Sequence, residues 1–249
     1  MRHGKKIIAV LPAYNAEKTL RQTLRDIPRD VVDDIILVDD ASADGTASLS
    51  RSLGLTTIVH PRNLGYGGNQ KTCYTAALHA GADVVIMIHP DHQYDPTLVP
   101  AMVEPLAAGE ADAVFGSRML VPGGALSGGM PQWKYIANAF LTRAANVCIG
   151  THLSEYHSGF RAYSRAVLER VPYSLNSNNF VFDTEIIAQL AVYNFRIKEI
   201  PIPTKYFKDA STVGFWKGVQ YGLNIFGVLM RYQLHRLGII RTKQFSKTG

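Results

Sequence analysis

Short apolar runs alternate with stretches of helical periodicity along most of the chain. Ile7–Leu11 is apolar and closes on Pro12, and Leu20, Leu24 and Ile27 then recur at helical spacing within Ala16–Ile27. The same alternation continues. Strands are expected at Asp34–Val38, Thr56–His60, Asp83–Ile88 and Ala113–Ser117, and helices at Ala41–Gly54, Asn69–Ala80 and Thr97–Ala108. Repeated β-then-α units imply an α/β fold, a mostly parallel sheet covered by helices on both faces. The stretch Pro122–Pro131, with four glycines and two prolines, reads as a mobile loop. Beyond it, Trp133–Ile149 reads as a helix. Arg161–Ser164, Arg196–Ile202 and the NNFVFDTEIIAQLAVY stretch between them complete the core. Val219, Leu223, Phe226, Met230, Leu234 and Leu237 then mark one face of a last helix.

Length and composition narrow the class. A chain of 249 residues, 47% hydrophobic and 18% charged, can bury a full core and is neither disordered nor collagenous. Cys73 and Cys148 are too few for a disulfide framework, so a reducing, cytoplasmic setting is expected. The apolar run after MRHGKK is shorter than a secretory core, and no stretch approaches the roughly 18–20 apolar residues that span a bilayer. The net charge of +6 is unevenly placed. Residues 201–249 hold Lys205, Lys208, Lys217, Arg231, Arg236, Arg241, Lys243 and Lys247 against Asp209 alone, while residues 1–200 are nearly neutral. No nucleic-acid motif accompanies these cations. Interleaved with an apolar stripe, they suit an anionic membrane surface better, peripherally on the cytoplasmic face. A core helix or a dimer interface is the competing reading of the stripe. Two parts follow, a domain over 1–210 and a basic amphipathic segment over 211–249.

Chemistry collects where strands end, the edge at which open α/β sheets bind ligands. Pro12-Ala13-Tyr14-Asn15 follows the first strand, Asp39-Asp40 the second, and His89-Pro90-Asp91-His92-Gln93 the strand that ends at Ile88. Together they describe a polar, acid-rich pocket, although single carboxylates at such places also cap helices. Asn63-Leu64-Gly65-Tyr66-Gly67-Gly68-Asn69 lacks the Lys-Ser/Thr of a phosphate loop and the dinucleotide spacing. It reads as a tight turn before a helix, or as a turn that lends backbone amides to the pocket.

LPAYNAEKTL, IILVDDASADGT, NLGYGGNQKT, Asp91-His92-Gln93, Gly116-Ser117-Arg118 and SGFRAYSR at 158–165 occur in that order over residues 5–205. In this set the chain resembles the inverting family-2 glycosyltransferases of GT-A fold, especially the polyprenyl-phosphate, dolichol-phosphate mannose synthase-like branch. The resemblance implies a nucleotide-sugar site at Pro12, Tyr14, Val38, Asp40, His89, Pro90, Asp91 and Arg118. It also implies a Mg²⁺ or Mn²⁺ site at Asp91 and Gln93, with His89 where the family's first aspartate usually stands. A carboxylate and an amide oxygen suit a hard cation, and an imidazole would tilt the choice toward Mn²⁺. Arg118 matches an arginine near the diphosphate or the sugar. Asp183 and Glu185 stand where a hydroxyl-acceptor enzyme keeps its general base, and the resembled branch keeps a glutamate near Glu185.

On the acceptor side, Glu199-Ile200-Pro201-Ile202 matches the strand after which the branch grips its lipid phosphate. Lys205 and Lys208 are the nearest cations, while the family's Gly-x-Ser-Lys pattern is not kept. The implied activity is metal-dependent transfer of a hexose from a GDP- or UDP-sugar to a polyprenyl phosphate. Two alternatives stay open: transfer to a hydroxyl on a glycan, protein or small molecule, and a non-catalytic nucleotide-sugar-binding protein.

Overall fold

The computed structural model describes residues 1–203 and 215–247. The chain runs β1 (Ile7–Ala13), α1 (Glu17–Asp26), β2 (Asp34–Asp39), α2 (Thr46–Ser52), β3 (Thr56–Val59), α3 (Tyr66–His79) and β4 (Val84–Met87). It continues with α4 (Val99–Ala107), β5 (Ala113–Ser117), α5 (Gly124–Ser127), α6 (Gln132–Ile149), β6 (Arg161–Ser164) and α7 (Arg165–Arg170). The last elements are α8 (Phe182–Val192), β7 (Ile197–Pro201) and α9 (Phe215–Arg236). The strands form one seven-stranded sheet ordered β3-β2-β1-β4-β6-β5-β7. β6 runs antiparallel to both β4 and β5, and the other pairings are parallel. The expected mostly parallel α/β sheet is therefore present.

Side chains alternate across a strand, so one apolar run feeds two cores. Ile7, Ala9 and Leu11 pack with α1 and α4, whereas Ile8 and Val10 pack with α3, α8 and α9. This double burial explains why β1 reads as a continuous apolar run and not as an alternating one.

Two expectations shift. The glycine- and proline-rich stretch 122–131 contains the one-turn helix α5, with Ala125 and Met130 buried, so it is packed and not simply a mobile loop. α3 begins at Tyr66, which puts Gly67 and Gly68 inside its first turn. α9 divides its apolar residues between two faces. Its predicted apolar stripe faces away from the core: Val219, Leu223, Phe226, Met230 and Leu237 are exposed. Ile225, Val228, Leu229 and Tyr232 are the residues that enter the core beside α6 and α8. The helix is apolar on two faces, and periodicity alone does not say which one the domain takes. Among the described residues no helix is long and apolar enough to cross a membrane.

Candidate active site

β1, β2 and β4 deliver their carboxyl ends to one edge, and each is followed by a non-glycine residue in the left-handed region: Asn15 (φ 51°), Ala41 (φ 59°) and His92 (φ 57°). Such conformations cost about 1–3 kcal/mol each and persist where surrounding contacts over-determine them. Those contacts are present. Asp39 accepts hydrogen bonds from the Ser42 N–H and hydroxyl, Asn15 N–H donates to Ser42 Oγ, and the Ala43 N–H donates to Asn15 Oδ1. His92 Nε2 lies 2.9 Å from Asp26 Oδ2 on α1, which pins the turn carrying Asp91 and Gln93.

Asp40 is 3% exposed and its carboxylate is taken up within the chain. It lies 2.7 Å from His60 Nδ1 and accepts from the Leu64 and Gly65 N–H groups at 2.8 and 3.0 Å. The Gly67 and Gly68 amides donate instead to the Asn178 carbonyl. The amides of Leu64, Gly65, Gly67 and Gly68 are thus spent on Asp40 and Asn178. Glycine at position 67 is needed for close approach, since a Cβ there would lie 2.3 Å from the Ser177 carbonyl oxygen. Of the other residues expected around the nucleoside, Pro12 and Val38 are buried in their strands and Tyr14 is 57% exposed at the end of β1.

Beyond β4, Pro90 is buried and Asp91 and Gln93 are half-buried. Asp91 Oδ1 accepts the Gln93 N–H at 3.0 Å. His89 stacks on Tyr66, with ring centroids 5.6 Å apart and planes 6° from parallel. Its Nε2 is buried, has no hydrogen-bond partner among the described residues, and rests over Gly159, where a Cβ would come within 2.6 Å. Burial holds this imidazole below its ordinary pKa against the opposing pull of Asp91 and Asp183.

Arg118, at the end of β5, is buried against Glu155. Its Nε donates to both Glu155 carboxylate oxygens at 2.9 and 3.1 Å, its backbone N–H donates to Oε2, and a further guanidinium nitrogen donates to Oε1. Burial alone would raise the Glu155 carboxyl; Arg118 keeps it below the usual range. Arg118 also donates to the His157 carbonyl at 3.2 Å.

Asp183 and Glu185 open α8 and are both buried. Asp183 accepts from Tyr66 O–H at 2.8 Å and Gln70 Nε2 at 3.4 Å, and lies 3.5 Å from the guanidinium of Arg161. Burial, then Asp183, hold the Tyr66 phenol well above its ordinary pKa, so it stays a donor. Glu185 faces elsewhere, accepting from Ser177 N–H at 2.6 Å and from Arg231 of α9 at 3.2 Å. Lys205 and Lys208 lie outside the described residues. Glu155, Tyr66, Gln70 and Arg161 were not singled out from sequence. Arg161 sits inside the SGFRAYSR motif, which offered a signal; Glu155 became visible only as the partner of a buried arginine.

A sequence model described as Glycosyl transferase family 2 matches residues 8–171. The chain belongs to that family. This glycosyltransferase is 26% identical over 250 residues to the UDP-N-acetylglucosamine–dolichyl-phosphate N-acetylglucosaminyltransferase of Methanococcus voltae, covering 94% of this chain and 98% of that one. It is 29% identical over 205 residues to the undecaprenyl-phosphate mannosyltransferase of Micrococcus luteus, covering 79% and 82%. Among solved structures, glucosyl-3-phosphoglycerate synthase of Mycobacterium tuberculosis superposes with a TM-score of 0.72 at 19% identity, over 92% of this chain and 79% of that one. That structure, a complex with Mn²⁺, uridine diphosphate and phosphoglyceric acid, shares the fold of the family-2 chain described above.

Proposed function

We propose that the chain transfers a hexose from a GDP- or UDP-linked sugar to a polyprenyl phosphate in a single displacement with inversion. A phosphate oxygen of the acceptor bonds to the anomeric carbon as the bond from that carbon to the donor's diphosphate breaks, releasing the nucleoside diphosphate. The relatives named for dolichyl- and undecaprenyl-phosphate acceptors support this reading. One observation carries it. Both carboxylates near the general-base position are buried and engaged, Asp183 by Tyr66, Gln70 and Arg161, and Glu185 by Ser177 and Arg231. A hydroxyl acceptor needs a free base to take its proton, whereas a phosphate arrives already ionised.

The residues present suit a divalent ion. Among the described residues no three His, Cys, Asp or Glu side chains converge on a closed metal cage. Mg²⁺-type ions are commonly held by one or two carboxylates and completed by substrate phosphates and water. Asp91 and Gln93 would hold it, and it would neutralise charge developing on the diphosphate. His89 would serve there as a stacking partner of Tyr66, because its Nε2 is turned onto Gly159. Pro12, Tyr14, Val38 and Asp40 would line the nucleoside site, Arg118 would meet the diphosphate or sugar, and Lys205 and Lys208 the acceptor phosphate.

The outward face of α9 continues onto α6, where Ile136, Phe140 and Val147 are exposed and Phe140 packs 6.2 Å from Phe226. Arg143, Arg236 and Arg241 are exposed close by in the chain. An apolar face edged by cations fits peripheral docking on anionic lipid. Replacing Leu223 and Met230 together by glutamate is expected to abolish transfer to long polyprenyl phosphate in anionic vesicles and to spare transfer to soluble farnesyl phosphate; equal effects on both would exclude the docking role.

The transfer itself is tested with GDP- and UDP-hexoses, Mn²⁺, and either farnesyl phosphate or glycan hydroxyls as acceptors. Prenyl phosphate is expected to be glycosylated, and Asp183→Asn to retain kcat within about tenfold below its melting temperature. Loss of a working general base would cost about 10²–10⁴-fold. Transfer to hydroxyls alone, together with such a loss, would overturn the reading.

A further inference from the structure

The loop over 154–160 ties the site to the C-terminal helix. It carries Glu155, which holds Arg118, and Gly159, which underlies His89; His157 sits between them. Tyr221 of α9 meets the His157 ring edge-on at 5.6 Å, and its hydroxyl lies 3.0 Å from His157 Nδ1. Among the described residues Nδ1 is the hydroxyl's one hydrogen-bond partner. Were Nδ1 the donor, neither the phenol O–H nor the buried Nε2 would have a partner among the described residues, two polar groups unpaired instead of one. The phenol therefore donates to Nδ1, and a neutral imidazole then carries its proton on Nε2. The neutral form is the one held. Burial first, helped by Arg118, Arg161 and Lys134 against the pull of Glu155, pushes His157 down to about 4.

Nε2 is buried and has no hydrogen-bond partner among the described residues. Buried donors in folded proteins are nearly always paired, so an orphan calls for a partner from outside the chain. Arg118, paired with Glu155, and the cations Arg161 and Lys134 act on His157, and an N–H donor set among cations suits an anionic oxygen.

We propose that His157 binds a ligand phosphate oxygen through its Nε2–H, with Tyr221 as the positioning residue that fixes the tautomer and the ring. This rests on the reading of the chain as a transferase between a nucleotide sugar and a prenyl phosphate. The oxygen belongs to the acceptor phosphate or to the donor's diphosphate. Through Tyr221, the helix that carries the exposed apolar face also shapes the pocket that binds the phosphate.

The test uses full-length protein labelled with ¹⁵N-histidine, the His157 signal being assigned with His157→Gln. Farnesyl phosphate, UDP with Mg²⁺ and GDP with Mg²⁺ are added separately. The ligand-free protein is expected to show the Nε2–H tautomer, lost to a mixture in Tyr221→Phe. Farnesyl phosphate moving the signal assigns the acceptor; UDP or GDP moving it assigns the donor. His157→Phe is expected to raise the KM of that same ligand about tenfold or more, with kcat little changed, and His157→Gln, which keeps an N–H, to restore most of it. An Nδ1–H tautomer, or a signal unmoved by all three ligands, overturns the proposal. Transfer to farnesyl phosphate with an unmoved signal defeats this proposal alone. A signal moved by nucleotide in a protein that glycosylates no prenyl phosphate defeats only the acceptor reading.

Discussion

The ends of β1 and β2 and the end of β4 face the same edge but treat their polar groups in opposite ways. Around β1 and β2 the motif carboxylates are closed: Asp39 is bound by Ser42, and Asp40 by His60, Leu64 and Gly65. Beyond β4 Asp91 and Gln93 hydrogen-bond only to each other among the described residues, and in the 154–160 loop the buried Nε2 of His157 has no partner among them. The contrast separates two uses of polar residues at a sheet edge. Closed groups build a rigid wall, and their loss is a loss of fold. Open groups have desolvation already imposed and await a ligand, so their loss is a loss of binding or turnover.

That contrast is easiest to break with the largest effect. Asp91→Ala is expected to lower metal-dependent turnover by about 10²–10³-fold while leaving the melting temperature within about 2 °C, by analogy with the loss of a charge-stabilising group at a reaction centre. Full activity of the wild type in EDTA, or a collapsed fold in the variant, would erase the distinction. Next comes the closed side. Asp40→Ala strands the Leu64 N–H and the buried His60 Nδ1, while the Gly65 N–H keeps Asn63 Oδ1, at a cost of about 3 kcal/mol. For a chain of this size that is about 6–12 °C in Tm. Calorimetry checks it, and an unchanged Tm with lost nucleotide binding would move Asp40 to the open class.

The smallest effect concerns acid. His157 is held neutral down to about 4, against an ordinary value of 6.5, with Glu155, Arg118, Arg161, Lys134 and Tyr221 facing it. Between those pH values the unfolded chain binds the proton and the folded one does not. This contribution is therefore fully present above about pH 6.5, falls away as pH drops toward 4, and is level below that. His157→Gln is expected to flatten that part of the denaturant-midpoint profile; an identical slope in both proteins would show that the imidazole is not held neutral by the fold.

Much of the scaffold was legible because strand burial and helix periodicity are local signals. Ile7–Leu11, Asp34–Val38 and Ala113–Ser117 were readable as buried runs, and the strand-end clusters followed from chain direction in a parallel sheet. Placing the glycines was harder. Gly67 and Gly68 weaken a helix by propensity, yet they lie inside α3 because Ser177 and Asn178, more than a hundred residues away, press against that turn. Which face of α9 the domain takes was illegible for a similar reason: its two apolar faces are alike in sequence, and only packing against α6 and α8 selects one.

What the chain's own order of residues determined was the kind of molecule: an alternating α/β domain, acid-rich at one sheet edge, with family-2 motifs in order and a basic, apolar C-terminal helix. What only the tertiary structure decided was which polar groups are spent. Arg118 against Glu155, Asp183 under Tyr66 and Arg161, Asp40 against the turn before α3, and Nδ1 of His157 against Tyr221 are pairings between segments distant in sequence. A residue's type sets what it can donate or accept. Whether it has already done so depends on which neighbours folding brings within about 3 Å, and that is a property of the packed chain.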